Sequence, residues 1–421
     1  MSSNIAPNIE SADVFLGFNF LEYIDFDSLK QLISQNTGEE YDVGTVAELY
    51  SMISNDTFNA AFFECVLFNH LKNVFIHKIA SDKIEFKSKI IEIIKNINTA
   101  SNIPSALNSY LREDGFNFIS KLGKESNFGD KFVVALEYVE NEDIDEARIL
   151  FSQVVINKAG TAEYSVSGVI VDFRNQKCLI CLKNKTNLGK AETPELEEKL
   201  KSTVSSFHSW IVNQLKYVFD FVNHNVDNSR KHMYEICKGF DEELLKEDRK
   251  LIDEKLNESI LTDIIKYSEI ITSEAIQVSA SDKEALRKSM LSLMTGVYVK
   301  SKYQHSQLQQ KAKALGLPGY PTKIEYTSTK SDKGATQSSG KKEPVGSSDI
   351  FHSLYISFEE ARSLEKWSIA WFTDYENKEP RNHDVIQTTI HAKVSVLHVV
   401  FLPTRALNKE LIYHVIRSIG E

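Results

Sequence analysis

Cysteine, proline and long hydrophobic runs are all scarce in this chain of 421 residues, which has four cysteines and eight prolines. Four cysteines are too few for a disulfide-stapled scaffold, and residues 1–10 lack the basic and apolar regions of a signal peptide. The longest apolar windows, near residues 62–68 and 394–402, are too short or too interrupted to span a bilayer. These features predict a cytoplasmic protein with no membrane contact.

The common sequence motifs of nucleotide-binding and hydrolytic enzymes are also missing. The chain contains no GxxxxGK[ST] phosphate loop, no GxGxxG fingerprint, no HExxH and no GxSxG. We therefore expect no hydrolysis of nucleoside triphosphates by a standard phosphate loop, and no cofactor.

Positive charge is in deficit over the chain as a whole. There are 49 lysines and arginines against 59 acidic residues, which gives a formal net charge of −10. Wrapping a nucleic acid with the whole surface needs a dense field of cations, so only a local contact is compatible with this balance. Hydrophobic residues make up 42% of the chain, enough to predict real cores and, at this length, two or three domains.

The pattern of apolar residues predicts an α+β fold in five consecutive parts. Apolar spacings of three and four predict helices in the first and third parts, whereas a period of two predicts strands in the second. The fourth part is rich in Ser, Gly, Thr and Lys, which is typical of a flexible linker. The predicted parts are a mainly helical region 1–127, an antiparallel β-meander 128–190 packed with it, a helical segment 191–326, a linker 327–349 and a small α/β domain 350–421.

The four-stranded meander includes a hairpin with one apolar face. If Asn175 and Gln176 form a two-residue turn, Val171 lies opposite Ile180 and Lys183 lies opposite Gly168. Elsewhere, Ser281 is predicted to cap a helix. In the last part, residues 354–358 are predicted as a strand, 385–402 as one long or two short strands, and 407–419 as a helix.

Three residues of the meander are weak catalytic candidates. Asp172 and Lys183, with Glu163 as a further carboxylate, resemble the D…(E/Q)xK arrangement of restriction-type nucleases, which implies a metal-dependent nuclease. Cys181 stands where the second carboxylate of that pattern belongs. The predicted hairpin also places Asp172 and Lys183 roughly 13 Å apart along the sheet, so a solvent-facing turn residue is the favoured interpretation of Asp172. No metal site is predicted.

Cys178 and Cys181 have the spacing of a CxxC motif but not the geometry that redox or zinc chemistry needs. In a strand, residues three apart point to opposite faces, and no second pair of cysteines accompanies them. Structural packing is therefore favoured over redox or zinc chemistry.

Histidines in the last part form a possible anion site. His391 and Lys393 share one face of a predicted strand, which suits an anion. His391 and His398 lie an odd number of residues apart, so an unbroken strand points them to opposite faces about 23 Å apart. Nothing between them signals a turn. The competing interpretation is an amphipathic strand whose polar residues face water.

The strongest local signal for nucleic acid lies in residues 300–313. Lysines there accompany an aromatic ring, a combination that suits a phosphate backbone and its bases. The predicted contacts are Lys300, Lys302, Tyr303, Lys311 and Lys313. The alternative is a solvated helix end, where lysines favour the helix dipole in any case.

Together these patterns favour a non-enzymatic cytoplasmic interaction or regulatory protein. One hypothesis is an accessory subunit of a bacterial regulatory or defence complex, with a protein partner or self-association and a local nucleic-acid contact. The alternative is a divergent metal-dependent nuclease or hydrolase whose site is assembled across the meander.

Overall fold

The computed structural model describes residues 16–102, 129–142, 145–184, 204–223, 225–272, 278–327, 333–338, 342–403 and 405–420. Within these residues the fold is mixed helix and sheet, with eleven α-helices, eleven strands and two short 3-10 helices, Leu16–Tyr23 and Val345–Ser347. None of the described helices has the length and apolar character needed to cross a membrane.

The helices and strands are numbered in chain order. The helices are α1 (Phe26–Thr37), α2 (Val46–Met52), α3 (Asn55–Phe68), α4 (Lys83–Ala100), α5 (Val204–Leu215), α6 (Val226–Asp253), α7 (Glu258–Thr272), α8 (Ala280–Lys302), α9 (His305–Ala314), α10 (Asp349–Ala361) and α11 (Lys409–Ile419). The strands are β1 (Asn73–Ala80), β2 (Lys131–Glu140), β3 (Asp145–Ile156), β4 (Ala162–Asp172), β5 (Lys177–Leu182), β6 (Asp220–Phe221), β7 (Gly319–Thr327), β8 (Lys333–Gln337), β9 (Lys366–Phe372), β10 (Val385–Lys393) and β11 (Val396–Leu402).

The chain divides into two compact units whose residues interleave in sequence. The first unit comprises residues 1–71, 79–221 and 406–408, and the second comprises 72–78, 222–405 and 409–421. These units do not follow the five consecutive parts predicted from composition.

Strands β2 to β5 of the first unit pair antiparallel in sequence order. Nearly every residue of β3 and β4 is buried, including polar side chains such as Arg148 and Gln153. Eleven strands are described, so these four pair as predicted but do not form a separate four-stranded sheet.

The hairpin between β4 and β5 has a different register from the predicted one. Asp172 lies opposite Lys177, and Val171 lies opposite Cys178 rather than Ile180. The turn is wider because the Asp172 carboxylate accepts a hydrogen bond of 2.9 Å from the backbone N–H of Asn175. Gln176 completes the turn with a φ of 51°.

Strand β1 corrects the helical prediction for the N-terminal part. Within the region 1–127 that is predicted to be mainly helical, α3 ends at Phe68 and β1 follows. The first five residues of β1 are all buried, so the strand has no polar alternation at its start. A short strand buried on both faces cannot be distinguished from a buried helix by its periodicity.

In the second unit the strands pair antiparallel in the order β1, β11, β10, β9, β7 and β8. Alternate residues of β9, β10 and β11 are fully buried on one face, among them Trp367, Ile390 and Val399. On the opposite face, Ala370, Phe372 and Val385 are buried in a second core with residues such as Leu244 and Tyr320. The rest of that face, around Lys366, Ser368, Thr389 and His391, is only partly buried and carries polar side chains.

The segment predicted as a linker contains ordered elements. Strand β8 pairs antiparallel with β7, with Gln337 opposite Lys323 and Lys333 opposite Thr327. Further along the predicted linker, Val345 and Gly346 are buried. Sheet pairing uses backbone groups, which composition does not report, and Gly334 allows the close approach of the Tyr326 ring. Residues 328–332 and 339–341 lie outside the described residues.

Two further helix and strand predictions differ from the structure, and two others agree with it. The cap of α8 is Ser279 rather than Ser281, with Asp282 completing a capping box. Residues 354–358, predicted as a strand, lie within α10. Residues 385–402 form two short strands, and the final helix is confirmed as α11.

Candidate functional site

A tight hairpin joins β10 and β11 and brings two histidines together. Lys393 lies opposite Val396, so the turn has two residues, and Ser395 within it has a φ of 66°. His391 therefore lies directly opposite His398, with ring centroids 5.8 Å apart and planes inclined by 26°. The prediction of an unbroken strand that separates them by about 23 Å is wrong.

The histidine pair forms the middle of a row that crosses five strands. In register order the row contains Phe75 of β1, His398 of β11, His391 of β10, Lys366 of β9 and Glu325 of β7. Neighbouring strands lie about 4.8 Å apart, so the row extends over roughly 19 Å. It combines aromatic rings and charges on a single face of the sheet.

His398 is held by contacts with β1. Its ring stacks on Phe75 with centroids 4.2 Å apart, and its Nε2–H donates to Asn73 Oδ1 at 3.1 Å. This hydrogen bond leaves a lone pair on Nδ1, which is buried and has no hydrogen-bond partner in the described part of the chain. Burial, with the positive charges of Lys393 and His391, lowers the pKa of His398 to about 4.

His391 is partly buried on the same face. Burial lowers its pKa, and the charges of Lys366 and Lys393 lower it further, while Glu325 opposes them. Both imidazoles are therefore neutral at pH 7 and can act as hydrogen-bond acceptors as well as donors.

Cations outnumber carboxylates around the pair. Glu325 is the carboxylate there, and it lies 2.6 Å from Lys323 Nζ and 3.9 Å from Lys366 Nζ. Lys393 Nζ lies 6.0 Å from the Phe75 ring centroid and forms no ion pair with any described carboxylate. Three lysines against one glutamate make this patch electropositive, which favours an anion.

We use the name polar sheet face for this surface. It comprises Lys323, Glu325, Lys366, Ser368, Thr389, His391, Lys393 and His398, all of them in the second unit. Among the residues that the structure describes, no group of three or more His, Cys, Asp or Glu side chains is arranged to hold a metal ion.

The lysines predicted to bind nucleic acid meet on one buried carboxylate instead. Asp248 of α6 is only 1% exposed, and it accepts from Lys302 at 2.8 Å and from Lys311 at 2.7 Å. The Tyr303 hydroxyl donates to the same carboxylate at 3.0 Å. Burial by itself raises the pKa of Asp248, but these bonds outweigh it and the pKa lies below its ordinary value.

The other two lysines of that prediction lie apart from this cluster. Lys300 pairs with Asp349 at the surface. Lys313 is buried and donates to the backbone carbonyl of Asp374, and burial lowers its pKa. The structure thus brings three of the five predicted residues together, around a carboxylate that neutralises their charge.

The structure does not bring the three catalytic candidates together. Asp172 caps its turn by accepting from the Asn175 side chain at 2.7 Å. Glu163 accepts from Asn157 Nδ2 at 2.5 Å. The two carboxylates lie nine residues apart in β4, an odd spacing that points them to opposite faces of the sheet.

Lys183, the third candidate, is buried in the first unit. Its Nζ donates to the backbone carbonyl of Tyr23 at 3.1 Å and to that of Asn69. Burial lowers its pKa to about 7. The nearby thiols of Cys65 and Cys181 are themselves buried, which raises the pKa of each to about 12.

Sequence reasoning found His391 and Lys393 but missed most of the residues around them. Phe75, Lys366 and Glu325 come from strands far away in sequence, so no local pattern connects them. Comparisons with protein-family models, with curated proteins and with solved structures find no match for this chain.

Proposed function

We propose that this chain is a non-enzymatic binding protein that contacts single-stranded nucleic acid through the polar sheet face. The observation that carries the proposal is the row of Phe75, His398, His391, Lys366 and Glu325, in which two neutral imidazoles adjoin Lys366, with Lys393 and Lys323 on the same face. Proteins that bind single strands combine cations for the phosphates with ring systems for the bases.

The extent of the row favours a polyanion over a single small anion. Phe75 is buried, so the accessible part of the row runs from His398 to Glu325 over roughly 14 Å, which exceeds the size of one phosphate group and has room for about two nucleotides. Lys366 lies opposite His391 on β9, and Lys393 lies two residues further along β10 on the same face, so two cations adjoin His391.

The local charge explains how an acidic protein can make such a contact. The formal net charge is −10 over the whole chain, but the polar sheet face carries three lysines and one glutamate. The proposed contact therefore lies at this face rather than at residues 300–313, where binding a phosphate would compete with Asp248 for Lys302 and Lys311.

The proposal is tested by measuring the affinity for a dye-labelled oligothymidylate by fluorescence anisotropy at several salt concentrations. For three phosphate-neutralising lysines we expect log K to fall with log[salt] with a slope of about −2. The double variant Lys366→Gln/Lys393→Gln should bind at least about tenfold more weakly, with the slope reduced by about 1.4.

A matched control replaces two exposed lysines on helices of the same unit, Lys246→Gln/Lys266→Gln. This variant should retain the affinity and the salt dependence of the natural chain. Equal losses in the two double variants, or no binding by the natural chain at low salt, would overturn the proposal.

A protein partner or self-association stays a prediction. The chain has a mass of 47.9 kDa, so light scattering of the purified protein distinguishes a single chain from a dimer. A mass near twice that value supports self-association, and a mass near 48 kDa contradicts it.

A further inference from the structure

The histidine pair has a geometry suited to taking up protons when an anion arrives. We infer that nucleic-acid binding at the polar sheet face is coupled to protonation of His391 and His398, so that the contact tightens as the pH falls. This inference rests on the proposed function and adds a regulation of the same site.

The hairpin holds both rings in place before any ligand binds. The tight turn fixes His391 opposite His398, and the Phe75 ring and Asn73 side chain fix the orientation of His398. The Nδ1 atom of His398 is buried and has no hydrogen-bond partner among the described residues. A proton added there would give the ring a second N–H donor and a positive charge.

The charges that face the pair come from three strands. Lys393 belongs to β10 itself, Lys366 lies on β9, and Glu325 lies on β7. The two histidines face each other across β10 and β11. From β1, Phe75 and Asn73 contact His398, and the buried His77 lies two residues beyond Phe75 on the same strand face. In the free protein the cations and partial burial oppose a further positive charge on either ring.

A bound phosphate backbone reverses this balance. Its negative charges offset those of Lys366 and Lys393 and attract a proton to the adjacent imidazoles. Burial and the lysines lower the pKa of both histidines in the free protein, to about 4 for His398. The complex therefore binds more protons than the free protein, and by linkage its affinity rises as the pH falls.

The test measures the affinity for the same oligothymidylate, labelled with a pH-insensitive dye, at pH 7.5, 6.5 and 5.5. Thymine does not titrate in this range. We expect the natural chain to bind about tenfold more tightly at pH 5.5 than at pH 7.5, the gain that one linked proton gives over about one pH unit. The variant His391→Gln/His398→Gln should lose this gain.

A matched control corrects for the general loss of negative charge at low pH. His383 lies outside the polar sheet face, beside the backbone carbonyls of Pro380 and Arg381. The variant His383→Gln should keep the full pH dependence of the natural chain.

Calorimetry of the natural chain supplies a readout that does not depend on any variant folding. Titrations at pH 6 in two buffers of different ionisation heat should reveal an uptake of between one and two protons per chain. Binding with no proton uptake would overturn this inference and leave the proposed function intact. Absence of binding at every pH would overturn the proposed function, and this inference with it.

Discussion

The buried amine of Lys183 donates hydrogen bonds to two backbone carbonyls. A neutral amine has two N–H bonds, so it can make both of these hydrogen bonds without carrying a charge. The acceptors belong to the end of the first 3-10 helix, at Tyr23, and to the cap residue of α3, Asn69. The side chain therefore joins three elements of the first unit, and its burial lowers the pKa to about 7.

This lowered pKa makes stability depend on pH. Between about pH 7 and pH 10 the unfolded chain, in which lysine has a pKa of about 10.4, binds more protons than the folded chain. The free energy of unfolding should therefore rise across this range, with Lys183 contributing roughly 2–4 kcal/mol. In the variant Lys183→Met this contribution should be absent.

Urea unfolding of the natural chain and of Lys183→Met at pH 7, 8, 9 and 10 measures this difference. Loss of the hydrogen-bond donor to two carbonyls lowers the free energy of unfolding of the variant by the same amount at every pH. This loss therefore shifts the curve of stability against pH without changing its slope. The variant Lys216→Met, at an exposed site of the same unit, serves as the control and should parallel the natural chain. A parallel curve for Lys183→Met would contradict the assigned pKa.

Residue types alone identified part of the candidate site. His391 and Lys393 were predicted as an anion-binding pair because they share one strand face, and the structure places both on the polar sheet face. His398 was separated from them because residues 392–397 contain no Gly, Pro, Asn or Asp to signal a turn. The turn forms because β10 and β11 both bury alternate side chains in the same core.

At the scale of elements, the turn between β10 and β11 determines whether the histidines meet. Ser395 adopts a φ of 66°, a conformation that costs an L-residue about 1–2 kcal/mol and costs glycine little. Ser395→Gly removes this cost but also gives the unfolded chain more conformational entropy, which lowers stability. The net effect should be a rise in the free energy of unfolding of about 0.5–1 kcal/mol.

Ser395→Pro should have the opposite effect, since proline fixes φ near −65° and cannot adopt this turn. We expect loss of the hairpin register and, with it, loss of oligothymidylate binding, measured by urea unfolding and by anisotropy. Unchanged stability and binding in Ser395→Pro would show that the turn does not position the site.

The helix and strand types followed from sequence wherever the apolar period was long and regular. The period of three and four predicted α4 and α11, and the period of two predicted β2 to β5. Strand β1 was missed because it is buried on both faces at its start, and β8 was missed because its residues are small and polar. Both are stabilised by pairing with strands distant in sequence.

At the scale of the whole molecule, chain order does not define the units. The second unit takes residues 72–78 from the N-terminal part and combines them with residues 222–405. The pairing of Phe75 with His398 exemplifies a contact across more than 300 positions, which composition cannot show. The same long-range pairing assembles the polar sheet face, so the net charge of −10 gives no indication of this local positive patch.

Ultraviolet cross-linking of the natural chain to oligothymidylate, followed by mass spectrometry of the linked peptides, tests the central claim most directly. The account predicts cross-links within residues 385–402, which hold both histidines and Lys393, and a loss of these cross-links in Lys366→Gln/Lys393→Gln. Cross-links confined to residues 300–313 would contradict it, because they would place the nucleic acid at the lysines that surround Asp248.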